Sequence, residues 1–68
     1  MSSTKKKQEL AKQVQDLRAS LSRHQITRTE LAAEAAMKRS YVYAILNGNR
    51  LPEARITHLI VTLETMVG

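Results

Sequence analysis

The chain of 68 residues has no cysteine, no phenylalanine and no tryptophan, and it carries a single proline and two glycines. Without cysteine there is no disulfide, no thiolate metal site and no thiol nucleophile. No run of ~20 apolar residues is present to span a bilayer, and no secretory apolar segment follows Lys5–Lys7. A cytoplasmic protein is therefore expected. The helix breakers Gly48, Pro52 and Gly68 all lie at or beyond position 48. Nothing interrupts a helix before that point, and Ala, Leu, Gln, Lys, Arg and Glu dominate, so the fold class is all-α. One absence is local: no carboxylate falls between Ala35 and Pro52, where Lys38, Arg39 and Arg50 do.

A chain this short forms one small domain that buries only ~60% of its unfolded surface, and oligomerisation is the expected extra source of stability. The net charge of +5 is uneven. Residues 1–24 hold six basic and two acidic side chains, residues 25–52 four and two, and residues 53–68 one and two. A basic front and middle with a weakly acidic, apolar end suits an anionic partner for one part and a protein partner for the other.

Leu10, Val14, Leu17 and Leu21 form one apolar stripe, which places a first helix over residues 6–24. Residues 1–5 are expected to be a flexible basic arm, because Lys5, Lys6 and Lys7 sit where the helix dipole disfavours cations. That arm suits either a solubilising tail or contact with a DNA backbone. Thr27 and Glu30 have the spacing of a capping box, and Ile26 and Leu31 that of a hydrophobic staple. A second helix thus starts after Thr27, points Leu31, Ala32 and Ala35 inward, and does not pass Ala36. A third spans Arg39–Leu46, buries Val42, Ile45 and Leu46, and ends at Asn47-Gly48 with Gly48 left-handed. Met37 plugs the turn before it. Pro52 falls at or near the first position of a fourth segment.

That last segment is ambiguous. Ile56, Ile60, Leu63 and Val67 are spaced as a helical stripe, yet the segment is rich in β-branched residues. Its period-two alternation is poor, so a helix is preferred and a strand is the alternative. Leu59, Val61 and Met66 fall outside the stripe, and this surplus of apolar surface is the candidate dimer interface, with Leu59, Ile60, Leu63 and Met66 as its contacts.

Two short helices about a turn apart, with charge of one sign on the second, form a pattern that presents a helix to the DNA major groove. Tyr41 and Tyr43, the only aromatics, both lie on that second helix. Either ring can meet a backbone phosphate through its hydroxyl, or can be partly buried with its hydroxyl in solvent.

The same residues carry a family resemblance. Leu31-Ala32, Met37, Val42, Ile45 and the phrase Asn47-Gly48-Asn49-Arg50 before Pro52 make residues 26–63 similar to the helix-turn-helix domain of the lambda-repressor and Cro superfamily of phage and bacterial regulators. The resemblance covers a little over half of the chain. It implies a compact four- to five-helix domain over residues 6–68, with the motif at 27–47 and a dimerisation segment at 53–68. It implies a dimeric phage or bacterial repressor, associated with the nucleoid of a bacterial host, that reads a palindromic operator in double-stranded DNA. Arg39, Ser40, Tyr43 and Ala44 would meet base edges, Arg39 with two hydrogen bonds to guanine. Arg28, Thr29, Lys38, Tyr41, Asn47, Asn49 and Arg50 would meet the backbone. Asn47 has a second reading as a helix cap, and Arg55 reads as a solvated charge. The family usually has glycine where this chain has Ala36, and a left-handed alanine there costs ~1 kcal/mol. Lys38 stands where a serine or threonine often caps the recognition helix.

Enzymatic chemistry is not expected. His24 and His58 are far apart, Asp16 is the one aspartate, and Glu30/Glu34 is more simply a solvated pair. No metal-ligand spacing or glycine-rich phosphate loop occurs, so no cofactor, metal or small-molecule ligand is expected. The alternatives to a repressor are a protein-interaction module such as an antitoxin or adaptor, and a sequence-independent nucleic-acid binder.

Overall fold

The computed structural model describes residues Ser2–Gly68, with side chains from Lys5 onward. Four helices follow one another: α1 (Ser2–Arg23), α2 (Arg28–Glu34), α3 (Arg39–Leu46) and α4 (Glu53–Val67). Among the described residues there is no strand and no fifth helix. Among the described residues, no helix is long and apolar enough to cross a membrane.

α1 packs against α4 and α3, and α2 packs against α3 and α4, around one aliphatic core. The α1 stripe of Leu10, Val14, Leu17 and Leu21 is buried as its spacing requires. Leu31 and Ala32 of α2, with its C-cap Ala35, pack in one core with Val42, Ile45 and Leu46 of α3, and the small alanines let the two helices come close. No polar or charged side chain is buried among the described residues. The core is thus held by apolar burial alone, at ~25 cal/mol per Å² of apolar surface removed from water.

Three corners join the helices, and the three helices before them end alike. Ile26 N–H donates to Leu21 O at 2.9 Å, Met37 N–H to Ala32 O at 3.0 Å, and Asn49 N–H to Ala44 O at 2.9 Å. Each bond reaches back five residues over a left-handed residue: Gln25 (φ 57°), Ala36 (φ 57°) and Gly48 (φ 83°). This is the Schellman arrangement, in which the terminal carbonyls are satisfied by the departing chain. Ile26 and Met37, just past the first two corners, turn back onto the core. Ile26 therefore closes α1 and packs onto the core just before α2.

Several expectations are corrected. The basic arm at residues 1–5 is not found over residues 2–5, since α1 begins at Ser2; Met1 lies outside the described residues. No residue there breaks a helix, and Lys6 Nζ meets Glu53 Oε2 at 2.6 Å, which offsets a cation placed near the positive end of the helix dipole. The hydrogen bond to Glu53, and then the field of that carboxylate, raise Lys6 above its ordinary pKa. Both partners are largely exposed, so the pair adds little stability. Pro52, expected at or near the first position of α4, is its N-cap.

The fourth segment is a helix, and the strand alternative falls away. Its threonines are accommodated by local bonds: Thr62 Oγ1 donates to His58 O at 2.7 Å and Thr65 Oγ1 to Val61 O at 3.0 Å. The buried row is Ile56, Leu59 and Leu63, rotated from the expected Ile56, Ile60, Leu63 and Val67. Leu59 and Leu63 are core residues of a single chain and are withdrawn from the candidate dimer interface. Ile60 and Met66 are half-buried against the core, while Val61 and Val67 are 52% and 42% exposed.

Leu59→Ala is expected to cost roughly 2–5 kcal/mol, enough to populate the unfolded state of so small a domain, as read by urea titration. Ala36→Gly is expected to gain about 0.5–1 kcal/mol, because relief of the left-handed strain exceeds the added freedom of the unfolded chain. A thermal melt shifted upward by a few degrees checks this, and a downward shift contradicts it.

Candidate nucleic-acid interface

α3 has one side sealed into the core, with Val42, Ile45 and Leu46 fully buried. At about 100° per residue, the opposite side is centred on Ser40, Ala44 and Asn47, with Tyr43 on one flank and Tyr41 on the other. Ser40 and Asn47 are exposed and Ala44 is half-buried. Arg39 lies toward the Tyr43 flank and is exposed, as the first residue of the helix. Ser40, Tyr43, Ala44 and Asn47 thus share one accessible surface, while Arg39, about 20° from the buried Leu46 around the helix, borders it as the first residue of α3.

The tyrosines take different places. Tyr43 is 37% exposed, and the guanidinium of Arg28 stands over its ring, 5.4 Å from the centroid. That contact is worth ~0.5–1 kcal/mol at an exposed site, and it seats an α2 cation beside the α3 surface. Tyr41 is half-buried against the core, with the Arg50 guanidinium 6.0 Å from its ring centroid. For Tyr41 the partly buried reading holds for the ring.

Around this surface, Lys38 is exposed and caps α3 through its backbone alone, with no side-chain bond. Asn47 is the C-cap of α3, its N–H donating to Tyr43 O at 2.9 Å, and it is exposed. Asn49 and Arg50 follow in the left-handed corner and are exposed. Thr29 is exposed in the first turn of α2. The one carboxylate there, Glu30, is engaged in its own cap: Glu30 N–H donates to Thr27 Oγ1 at 3.1 Å, and Glu30 Oε1 accepts from Thr27 N–H at 3.1 Å and from Thr27 O–H at 3.0 Å. The capping box is formed as its spacing requires. Lys6–Glu53 is the sole ion pair among the described residues, so the cations near α3 are not neutralised by the protein itself.

Sequence reasoning missed His58. Its Nε2–H donates to Ala35 O at 3.0 Å, so α4 holds the carbonyl at the corner between α2 and α3. The acceptor is a carbonyl, so Nε2 carries the proton. No local signal marks this contact, which spans 23 positions of the chain. Among the described residues no three acidic or histidine side chains gather as metal ligands would.

Comparison with family models, curated proteins and solved structures finds no match to this chain.

His58→Ala is expected to cost about 0.5–1.5 kcal/mol through the lost bond to Ala35 O. Chemical denaturation measures the loss, and an unchanged midpoint would show that water replaces the imidazole without penalty.

Proposed function

We propose that the chain is a sequence-specific, double-stranded DNA-binding regulator of the lambda-repressor and Cro type, acting as a dimeric repressor. In this reading α2 and α3 are the helix-turn-helix, and α3 is the recognition helix. One observation carries the proposal: the side of α3 that faces away from the core is accessible, and no carboxylate falls from Ala35 to Pro52 while Lys38, Arg39 and Arg50 do. A duplex repels carboxylates and recruits cations through its phosphates, and its major groove, ~12 Å wide, admits one helix.

Within that reading, Arg39 donates two hydrogen bonds to guanine O6 and N7. Ser40 and Tyr43 meet neighbouring base edges, and the Ala44 methyl lies against thymine. Arg28, Thr29, Lys38, Asn47, Asn49 and Arg50 hold phosphates, which position the helix without reading sequence. Tyr41 supports Arg50 from beneath. Two copies associate through the parts of α4 left outside the core row, where Val61 and Val67 are exposed. Half-sites one helical turn apart then form a palindrome.

Selection from random duplexes tests the reading, with a palindromic consensus as the expected outcome. No consensus, with binding equal on all duplexes, would favour a sequence-independent binder; no binding at any salt concentration would favour a protein-interaction module. Arg39→Ala is expected to cost roughly 1–3 kcal/mol on the selected site and little on random DNA. Equal losses on both would reduce Arg39 to a phosphate contact.

A further inference from the structure

We propose that Arg18 of α1 and Arg55 of α4, both outside the helix-turn-helix, hold backbone phosphates of opposite DNA strands on the two sides of α3. The proposal rests on the DNA-binding reading above and adds to it two residues that the motif does not contain.

Two open hollows lie near α3. The first, about 510 Å³, lies between the C-terminal half of α1 and the start of α2, and is lined by Arg18 and Arg28 with Gln15, Ser22 and Thr27. Gln15 and Arg18 also line a groove of about 410 Å³ that continues to Asn47 and Gly48, with Lys7 on its wall. The second hollow, about 290 Å³, sits beside the turn into α3 and is lined by Lys38, Tyr41 and Arg55 with Ala36 and Met37. Arg28 stacks on Tyr43, whereas Tyr41 lines the second hollow. The first hollow contains no α3 residue, but it adjoins the Tyr43 flank through Arg28 and through the groove that Arg18 shares with Leu46 and Asn47. Tyr41, two residues from Tyr43 and about 200° around the helix, lines the second, so Arg18 and Arg55 lie toward opposite flanks of α3.

Charge supports the same assignment. Neither hollow contains a carboxylate, and neither arginine has an ion-pair partner among the described residues. On the other flank of α1, the hollow facing α4 is lined by Asp16 and Glu64 and by no cation. α1 thus separates its charges, with Arg18 on the flank toward α2 and α3 and Asp16 on the flank toward α4. A helix ~10–12 Å across fills a major groove ~12 Å wide, so cations on its two sides meet the two phosphate backbones that border the groove.

The test uses the full chain, the selected duplex and a random duplex, with affinity measured across a salt series. Arg18→Gln and Arg55→Gln are each expected to lower the slope of log K against log salt by about 0.9, with roughly fivefold to tenfold weaker binding at ~0.1 M salt on both duplexes. Both residues are exposed, so thermal melts should not move. Arg23→Gln, at the exposed end of α1 and lining neither hollow, is expected to leave the slope unchanged. Phosphate-ethylation interference should lose contacts on one strand in Arg18→Gln and on the other in Arg55→Gln. A wild-type chain that binds no duplex overturns the DNA-binding reading and this assignment together. Wild-type binding with slopes unaltered in both variants overturns the assignment alone. So does an equal drop in Arg23→Gln, or loss of contacts from one strand in both variants.

Discussion

Four helices in 68 residues leave only corners of a few residues, and every corner must satisfy the last carbonyls of one helix while aiming the next. The left-handed residue is what makes this feasible. At Gln25, Ala36 and Gly48 the backbone reverses hand for one residue, and an N–H one position on returns to a carbonyl five residues back. Two of the three positions have a β-carbon, so the strain of ~1 kcal/mol or more at each is carried by the structure around it. Ile26 and Met37 supply that support by packing onto the core immediately after the turn. The direction of α3 depends on the middle corner, which His58 also braces from α4.

With the corners set, the division between packing and chemistry follows from burial. All described polar side chains remain at least partly in contact with solvent, and the interior is aliphatic and alanine. Such a core is indifferent to the identity of the surface residues. The outward side of α3 is therefore free to carry Arg39, Ser40 and Tyr43, and in the proposed function these change specificity without taxing the fold. The cations around α3 have no carboxylate partner among the described residues, which leaves them available to an external polyanion.

α4 closes the core along a single stripe. Ile56, Leu59 and Leu63 close the core over α1 and α2, while Val61 and Val67 remain outside it. Any self-association through this helix has to use its outward edge, because the central leucines are already spent within the chain. Dimer-directed changes at Leu59 or Leu63 would therefore report on folding.

Much was legible beforehand. The capping box at Thr27 and Glu30, the α1 leucine stripe and the buried row of α3 depend on contacts within a turn or on a single helical period, which sequence spacing encodes directly. The Ala36 corner was legible only through the family resemblance, and the Gln25 corner not at all, since neither residue type favours a left-handed backbone. In α4, spacings of three and four fit two adjacent stripes equally well, and only docking against α1 and α2 selected Leu59 over Ile60 for the interior. The bond from His58 to Ala35 and the placement of Arg18 and Arg55 beside α3 join residues from different helices. The sequence alone determined the first three helices and their inward faces, because those rest on local periodicity. Only the tertiary structure decided which side of α4 is core and which distant cations share the α3 surface, because both depend on how the corners orient one helix against another.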